Sequence, residues 1–374
     1  MHVRISVAPR CLQYVGTGRS AAAGRAWLLA AVLFTGSGCD GTPASGRLAG
    51  EAEARAARPA SSPGEASTNA AARAEAPDLR EYAVPSGSRP HDVAPAADGG
   101  VWYTAQGSGE LGWLDPETGE THHVKLGEGS APHGVMVGED GAAWVTDGGL
   151  NAIVRVDAGT REVRSFPLPE GRERSNLNTL TFDGRGRVWF TGQAGVYGRL
   201  DPETGRMDVW DAPGGRGPYG ITTTPDGQVY YASLAGSHIA RVDLETGAAT
   251  PIQPPTPEQG ARRVWSDSRG RIWVSEWNAG QVAVYDPEDG SWREWRLPGE
   301  GPQAYAVYVD EDDGVWLSDF GANALVRFTP ETERFESFPL PTPNAAVRQI
   351  HGRPGEVWAP ESSADRIVLV RTSP

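Results

Sequence analysis

The sequence predicts an all-β chain, a seven-bladed β-propeller of four-stranded blades. Three observations predict it. An aromatic residue recurs at intervals of 41 to 45 positions, turn chemistry repeats at fixed offsets around it, and a strand missing from the last repeat appears before the first. The aromatics are Trp102, Trp144, Trp189, Tyr230, Trp273, Trp316 and Trp358.

Each repeat opens on a short apolar segment such as Gly134-Val135-Met136-Val137. A tight turn follows, at Asp140-Gly141, Asp226-Gly227, Arg269-Gly270 or Pro354-Gly355, where glycine supplies the backbone freedom a hairpin needs. The aromatic strand comes next, as in Val188-Trp189-Phe190-Thr191, and then a third strand such as Ile153-Val154-Arg155-Val156-Asp157. The second turn reads Asp115-Pro116-Glu117-Thr118-Gly119, recurs at residues 201–205 and varies at 286–290. A fourth strand, for example Val163-Arg164-Ser165-Phe166-Pro167-Leu168-Pro169, closes the unit.

The last repeat stops after Ile367-Val368-Leu369-Val370, its third strand. The fourth-strand pattern stands instead at Leu79-Arg80-Glu81-Tyr82-Ala83-Val84-Pro85. This N-terminal strand is expected to complete the seventh blade and close the ring, which removes exposed strand edges. A solenoid of the same period would need capping repeats at its ends instead. Residues 79–374 are therefore expected to form one propeller, although 374 residues would ordinarily suggest two or three domains.

Composition agrees. The chain has 48 Gly, 30 Pro, 13 Trp and only 3 Met, as suits many turns, large rings and few long helices. Its net charge of −14 argues against nucleic acid or an anionic membrane surface as the main partner, since both need clustered Lys and Arg. Cys11 and Cys39 precede the repeats, so no disulfide is expected within them.

Residues 1–39 read as an export signal. Arg10, Arg19 and Arg25 precede the apolar run Ala26 to Phe34, and Gly36, Ser37 and Gly38 lead into Cys39. Cys39 after small residues resembles a bacterial lipobox, in which that cysteine is lipidated; the alternative is an ordinary cleaved signal. Residues 40–78 are rich in Ala with no aromatic, Val or Ile, and are expected to be a disordered tether. The protein is expected to be exported, as a cell-envelope lipoprotein or else periplasmic or secreted, to touch a membrane only through that anchor, and to be monomeric.

One mouth of the channel collects the candidate chemistry. Eleven residues before each aromatic lie His91, His133, Asn178, Tyr219, Arg262, Tyr305 and Val347. An insertion read near Glu311 makes Gln303 an alternative to Tyr305, and Arg348 an alternative to Val347 in the last repeat. Three residues after each aromatic lie Ala105, Asp147, Gly192, Ser233, Glu276, Asp319 and Glu361. Counting from the hairpin centre makes His133 and Asp147 cross-strand neighbours at the same rim. Taken singly, these groups are explained by pairing, Arg262 with Glu276 for example. Taken as a ring, they point to a binding site for a small-molecule or peptide-like ligand. Trp277 and Phe320 would give it an apolar wall, or else pack between blades. His122 and His123 are expected to face solvent, and His238 and His351 to be structural. No metal-spaced Cys/His cluster, phosphate-binding loop or nucleophile elbow is present.

Pro-His-Gly-Val, Pro-Tyr-Gly-Ile (residues 218–221), Val-Trp-Phe-Thr (188–191) and Ser-Glu-Trp-Asn-Ala-Gly (275–280) resemble the virginiamycin B lyase (streptogramin lyase) family over all seven repeats. The resemblance implies a propeller that opens a cyclic depsipeptide antibiotic by elimination. A rim His takes the proton α to the ester carbonyl, and Mg²⁺ held by acids polarises the ester. Carried onto this sequence, His133 is the base, His91 orients or protonates, and Asp147 helps hold the cation. The family's second metal acid, just before Pro-His, is replaced by Ala131, or by Arg89 in the first repeat. Asp92 is a substitute acid, although strand alternation would point it away. Arg262 and Arg348 would bind an anionic or carbonyl-rich ligand. Two rival readings are a non-catalytic binding propeller and a metal-dependent lactone hydrolase built around Asn178 and Glu276.

Overall fold

The computed structural model describes residues 79–372. The expected leader, the tether and Cys39 lie outside the described residues. Within 79–372, 28 strands form seven antiparallel four-stranded sheets. Six blades run in chain order. In the seventh, Leu79–Ala83 pairs with Arg366–Arg371, Leu79 opposite Val370 and Ala83 opposite Arg366, so the N-terminal strand does close the ring.

The repeated aromatic fills the space between blades. Trp102, Trp189, Trp273, Trp316 and Trp358 are all less than 2 % exposed. Burying an indole N–H without an acceptor is costly, and of these rings only Trp102 does so. Asp183, Asp267 and Asp310 accept from Trp189, Trp273 and Trp316 at 2.8, 2.9 and 2.8 Å. Asp183 and Asp267 also accept two backbone N–H groups of their own hairpin, so one carboxylate sets both the turn and the ring's orientation.

The outer turns follow the same economy of donors and acceptors. Asp115, Asp157, Asp201 and Asp243 each accept the backbone N–H groups two and three residues on. The fifth residue of the turn must be left-handed, which Gly119, Gly205 and Gly247 satisfy at φ 77°, 72° and 77°.

Two devices position the channel wall. A hydroxyl two residues after the aromatic reaches into the next blade: Thr104 donates to His133 O (2.8 Å), Thr146 to Asn178 O (2.5 Å), Ser275 to Tyr305 O (2.7 Å), and Thr191 to Tyr219 O. Pro360 has no hydroxyl, and there the N–H of Gln349 donates to His91 O instead (3.2 Å). The second device is a register shift in the inner strands of blades 1 to 6, for instance between Pro90↔Ala105 and Val93↔Tyr103. A bulge of this kind breaks the alternation of side chains. Two consecutive residues per blade therefore line the channel, in two layers.

Candidate functional site

The upper layer holds His91, His133, Asn178, Tyr219, Arg262, Tyr305 and Arg348. The sixth hairpin is as long as the others, with Trp316 opposite Tyr308 just as Trp102 is opposite Ala94, so no insertion displaces Tyr305. The seventh is one residue tighter, with Trp358 opposite His351. Val347 consequently bridges Glu361, and Arg348 takes the channel position.

The lower layer, which alternation had hidden, holds Asp92, Thr179, Arg263 and Gln349. Arg263 crosses the axis from blade 5. Its guanidinium donates to both oxygens of Asp92 in blade 1, at 3.0 and 3.3 Å, and to Thr179 Oγ1 in blade 3 at 2.6 Å. Gly220 permits this, since a Cβ there would lie 2.6 Å from the Arg263 Cα. Below the Asp92–Arg263 pair, a cavity of about 140 Å³ opens toward the opposite end, lined by Met136, Thr181, Thr223 and His351.

This strut also fixes proton positions. Arg263 can only donate, so Thr179 Oγ1 passes its hydrogen to Asn178 Oδ1 (3.0 Å), and the Asn178 amide donates to His133 Nε2 at 3.1 Å. His133 therefore carries its proton on Nδ1, a buried atom with no partner. His91 is arranged the other way. Its Nδ1 donates to Asp92 Oδ1 at 2.8 Å, leaving the lone pair on Nε2. The rings lie 3.7 Å apart at 43°. Burial holds both imidazoles well below the usual histidine value, helped at His91 by Arg263, Arg348 and Arg262, and at His133 by His91. Burial pushes the Asp92 carboxyl up, and Arg263 opposes it.

A second chain of donors ends on the same lone pair. Arg262 donates to Tyr219 Oη (3.0 Å), which meets Tyr305 Oη at 2.6 Å, which faces His91 Nε2 at 3.4 Å. Burial raises the Tyr305 hydroxyl, but Arg262, Arg263 and Arg348 outweigh it and draw it down to about 8. Burial and the neighbouring Tyr305 push Tyr219 up. The Arg262 guanidinium sits 3.8 Å from the Tyr305 ring centre and 4.8 Å from Trp277, and Arg348 lies 5.0 Å from Tyr305 and 5.3 Å from Phe320. Phe320 stacks on Tyr305 at 5.0 Å and 7°. Trp277 and Phe320 are thus at the mouth and half-buried.

The expected acids are elsewhere. Asp147 pairs with Pro132 rather than His133, one residue off the expected register. Its carboxylate is spent on Ser130 Oγ and the N–H groups of Ala131, Gly149 and Leu150. Asp319 likewise accepts from Gln303 and Gly321, and Glu276 from Gln281 rather than Arg262. Glu361 is buried with neither oxygen paired. Burial pushes Glu276 and Glu361 up to about 8. Asn178 is bonded to Thr179 and His133, and Glu276 to Gln281. His123 is half-buried, between Tyr103 Oη (2.7 Å) and Glu110 Oε2 (3.0 Å), not solvent-facing as expected.

His91, Asp92 and His133 bring one donor atom each within 4.8 Å of one another, a group that could hold a divalent ion. Mg²⁺ does not fit it. That ion wants oxygen ligands, whereas this set offers two imidazoles and a carboxylate whose oxygens both accept from Arg263, with Arg262 and Arg348 alongside.

The comparisons with known proteins carry the geometry to a family. Residues 121–373 match the virginiamycin B lyase family, more than half of the chain. The chain belongs to that family. Virginiamycin B lyase from Staphylococcus aureus is similar in structure at a TM-score of 0.74 and 20 % identity, covering 79 % of this chain and 100 % of that one. A catalytically inactive form of the same enzyme, with quinupristin, gives 0.73 and 20 % over the same shares. A streptogramin B lyase gives 0.72 and 22 %, covering 79 % of this chain and 98 % of its own. At these identities the likeness bears on the fold. No curated protein matches the chain.

Proposed function

We propose that this protein is a carbon–oxygen lyase that opens an ester or lactone by elimination, with His91 as the base. The observation that carries the reading is the Asp92–His91 pair: Nδ1 is held by a carboxylate at 2.8 Å, and the lone pair on Nε2 meets only the Tyr305 hydroxyl, at 3.4 Å. That departs from the expectation for His133, whose Nε2 is occupied by Asn178.

His91 Nε2 takes a proton from the carbon α to a carbonyl, and the electron pair forms a double bond as the bond from the β carbon to oxygen breaks. Tyr305, with its hydroxyl at about 8 and 3.4 Å from Nε2, gives its proton to the leaving oxygen. The proton on His91 then returns to Tyr305 across the same contact. Arg262 stabilises the negative charge that develops on the carbonyl oxygen. The ligand is a small cyclic or peptide-like ester. Export of a monomer, with lipidation at Cys39, belongs to the same proposal and is supported by the sequence of residues 1–39.

The test is turnover of a cyclic depsipeptide, followed by the mass-neutral ring opening and the absorbance of the new double bond. His91→Ala should abolish it and His133→Gln should leave part of it. Incorporation of labelled water into the product would mean hydrolysis and overturn the reading.

A further inference from the structure

We infer that the channel mouth is a carboxylate subsite, in which Arg262 and Arg348 grip a ligand's carboxylate while Trp277 and Phe320 cover the flat apolar group beside it. The inference rests on the lyase reading only for the identity of the site, and it names the substrate class: an ester that also carries a free carboxylate.

Two guanidinium groups at the mouth lack partners at Nε. Among the described residues, neither Arg262 nor Arg348 is in an ion pair. Arg262 has one hydrogen bond from its guanidinium, to Tyr219, and Arg348 has none. The Nε atoms of both are buried and unpaired. A guanidinium carries five N–H donors, so most of this capacity is unused. Arg263, in the layer beneath, donates from both terminal nitrogens and leaves only its Nε unpaired, so most of the unused donors belong to the mouth.

The neighbouring acids do not neutralise them. Asp319 and Asp147 serve backbone turns, and Glu276 and Glu361 are buried at positions that favour the protonated form. Two cationic forks on aromatic walls thus stand in a chain of net charge −14. A planar carboxylate suits such forks through paired N–H···O bonds. A phosphate would seek in addition a cradle of backbone N–H groups, and those of Trp277, Phe320 and Arg348 are already given to the carbonyls of Gly260, Gln303 and Pro360.

The experiment is a ligand-observed NMR titration of the purified chain, treated with EDTA, using phenylacetate, phenylacetamide and inorganic phosphate as probes. Phenylacetate should bind, the neutral amide at least tenfold more weakly, and phosphate more weakly than phenylacetate. Arg348→Gln loses no hydrogen bond within the fold, and it should weaken phenylacetate at least tenfold, whereas Arg348→Lys should recover part of the affinity. Equal binding of amide and carboxylate, tighter binding of phosphate, or a requirement for Mg²⁺ would overturn the subsite. His91→Ala separates the two readings. If only the lyase reading fails, phenylacetate still binds and no ester is turned over. If only the subsite fails, a neutral ester is opened by the native chain and equally by Arg348→Gln.

Discussion

Two rings of polar side chains stand side by side at one end of this propeller and do different work. The channel ring (His91, His133, Asn178, Tyr219, Arg262, Tyr305 and Arg348) faces the opening and leaves guanidinium donors unused. The ring one strand outward (Asp147, Glu276, Asp319 and Glu361) is turned into the blades, where Asp147 and Asp319 cap loops. A shift of one residue in strand pairing separates them. Channel-facing and supporting polar groups can therefore occupy the same level of a barrel-like wall, and register alone decides which way a side chain faces.

The largest expected break is catalytic. His91→Ala should lower kcat by about 10²- to 10⁴-fold, the usual range for a general base, while Asp147→Ala should leave kcat near its native value. Asp147→Ala should instead lower Tm, because three backbone N–H groups lose their acceptor, at about 1–3 kcal/mol. If the kinetic effects are reversed, the two rings have been assigned the wrong way round.

Removing the strut comes next. Arg263→Met leaves Asp92 buried without its cation, and breaking a buried pair costs about 3–5 kcal/mol. Chemical denaturation measures the loss. Asp92→Asn combined with Arg263→Met should recover part of it, since no charge is then stranded.

The smaller effects sharpen the contrast through pH. The Glu361 carboxyl is raised in the fold to about 8, from an ordinary 4.5. Ionisation therefore favours the unfolded chain as pH rises from near 4.5, and the loss of stability levels off above about 8. Glu361→Gln should flatten that slope in melts between pH 5 and 9. A latch hydroxyl should matter least: Thr104→Val removes the bond to His133 O and the acceptor of the Asp92 N–H, together about 1–2 kcal/mol.

The fold was legible because its information is periodic. Once the spacing of Trp102, Trp144 and Trp189 was seen, the closing role of Leu79–Ala83 followed from which strand was absent at the other end. Counting from the aromatic also found His91, His133 and Tyr305. Asp92 and Arg263 escaped it because a bulge sends two successive side chains inward, and a rule of alternation assigns one of them to the far face. One signal was available. Gly134 and Gly220 occupy the second position of the bulge in blades 2 and 4, where a Cβ would meet backbone 2.7 and 2.6 Å away. Glycine recurring there marks a crowded second layer. Asp147 was misjudged by a single residue of register, which no hydrophobic pattern could resolve because both sides of that strand are buried.

A wheel without spokes can be squeezed into an oval, and its hub then fits cargo of many shapes. Arg263 is a spoke. Tying blade 5 to blades 1 and 3 across the hub, it braces the rim against such distortion directly beneath the mouth. Spreading the blades at this level means breaking a buried ion pair and the bond to Thr179 together, so the strut resists it.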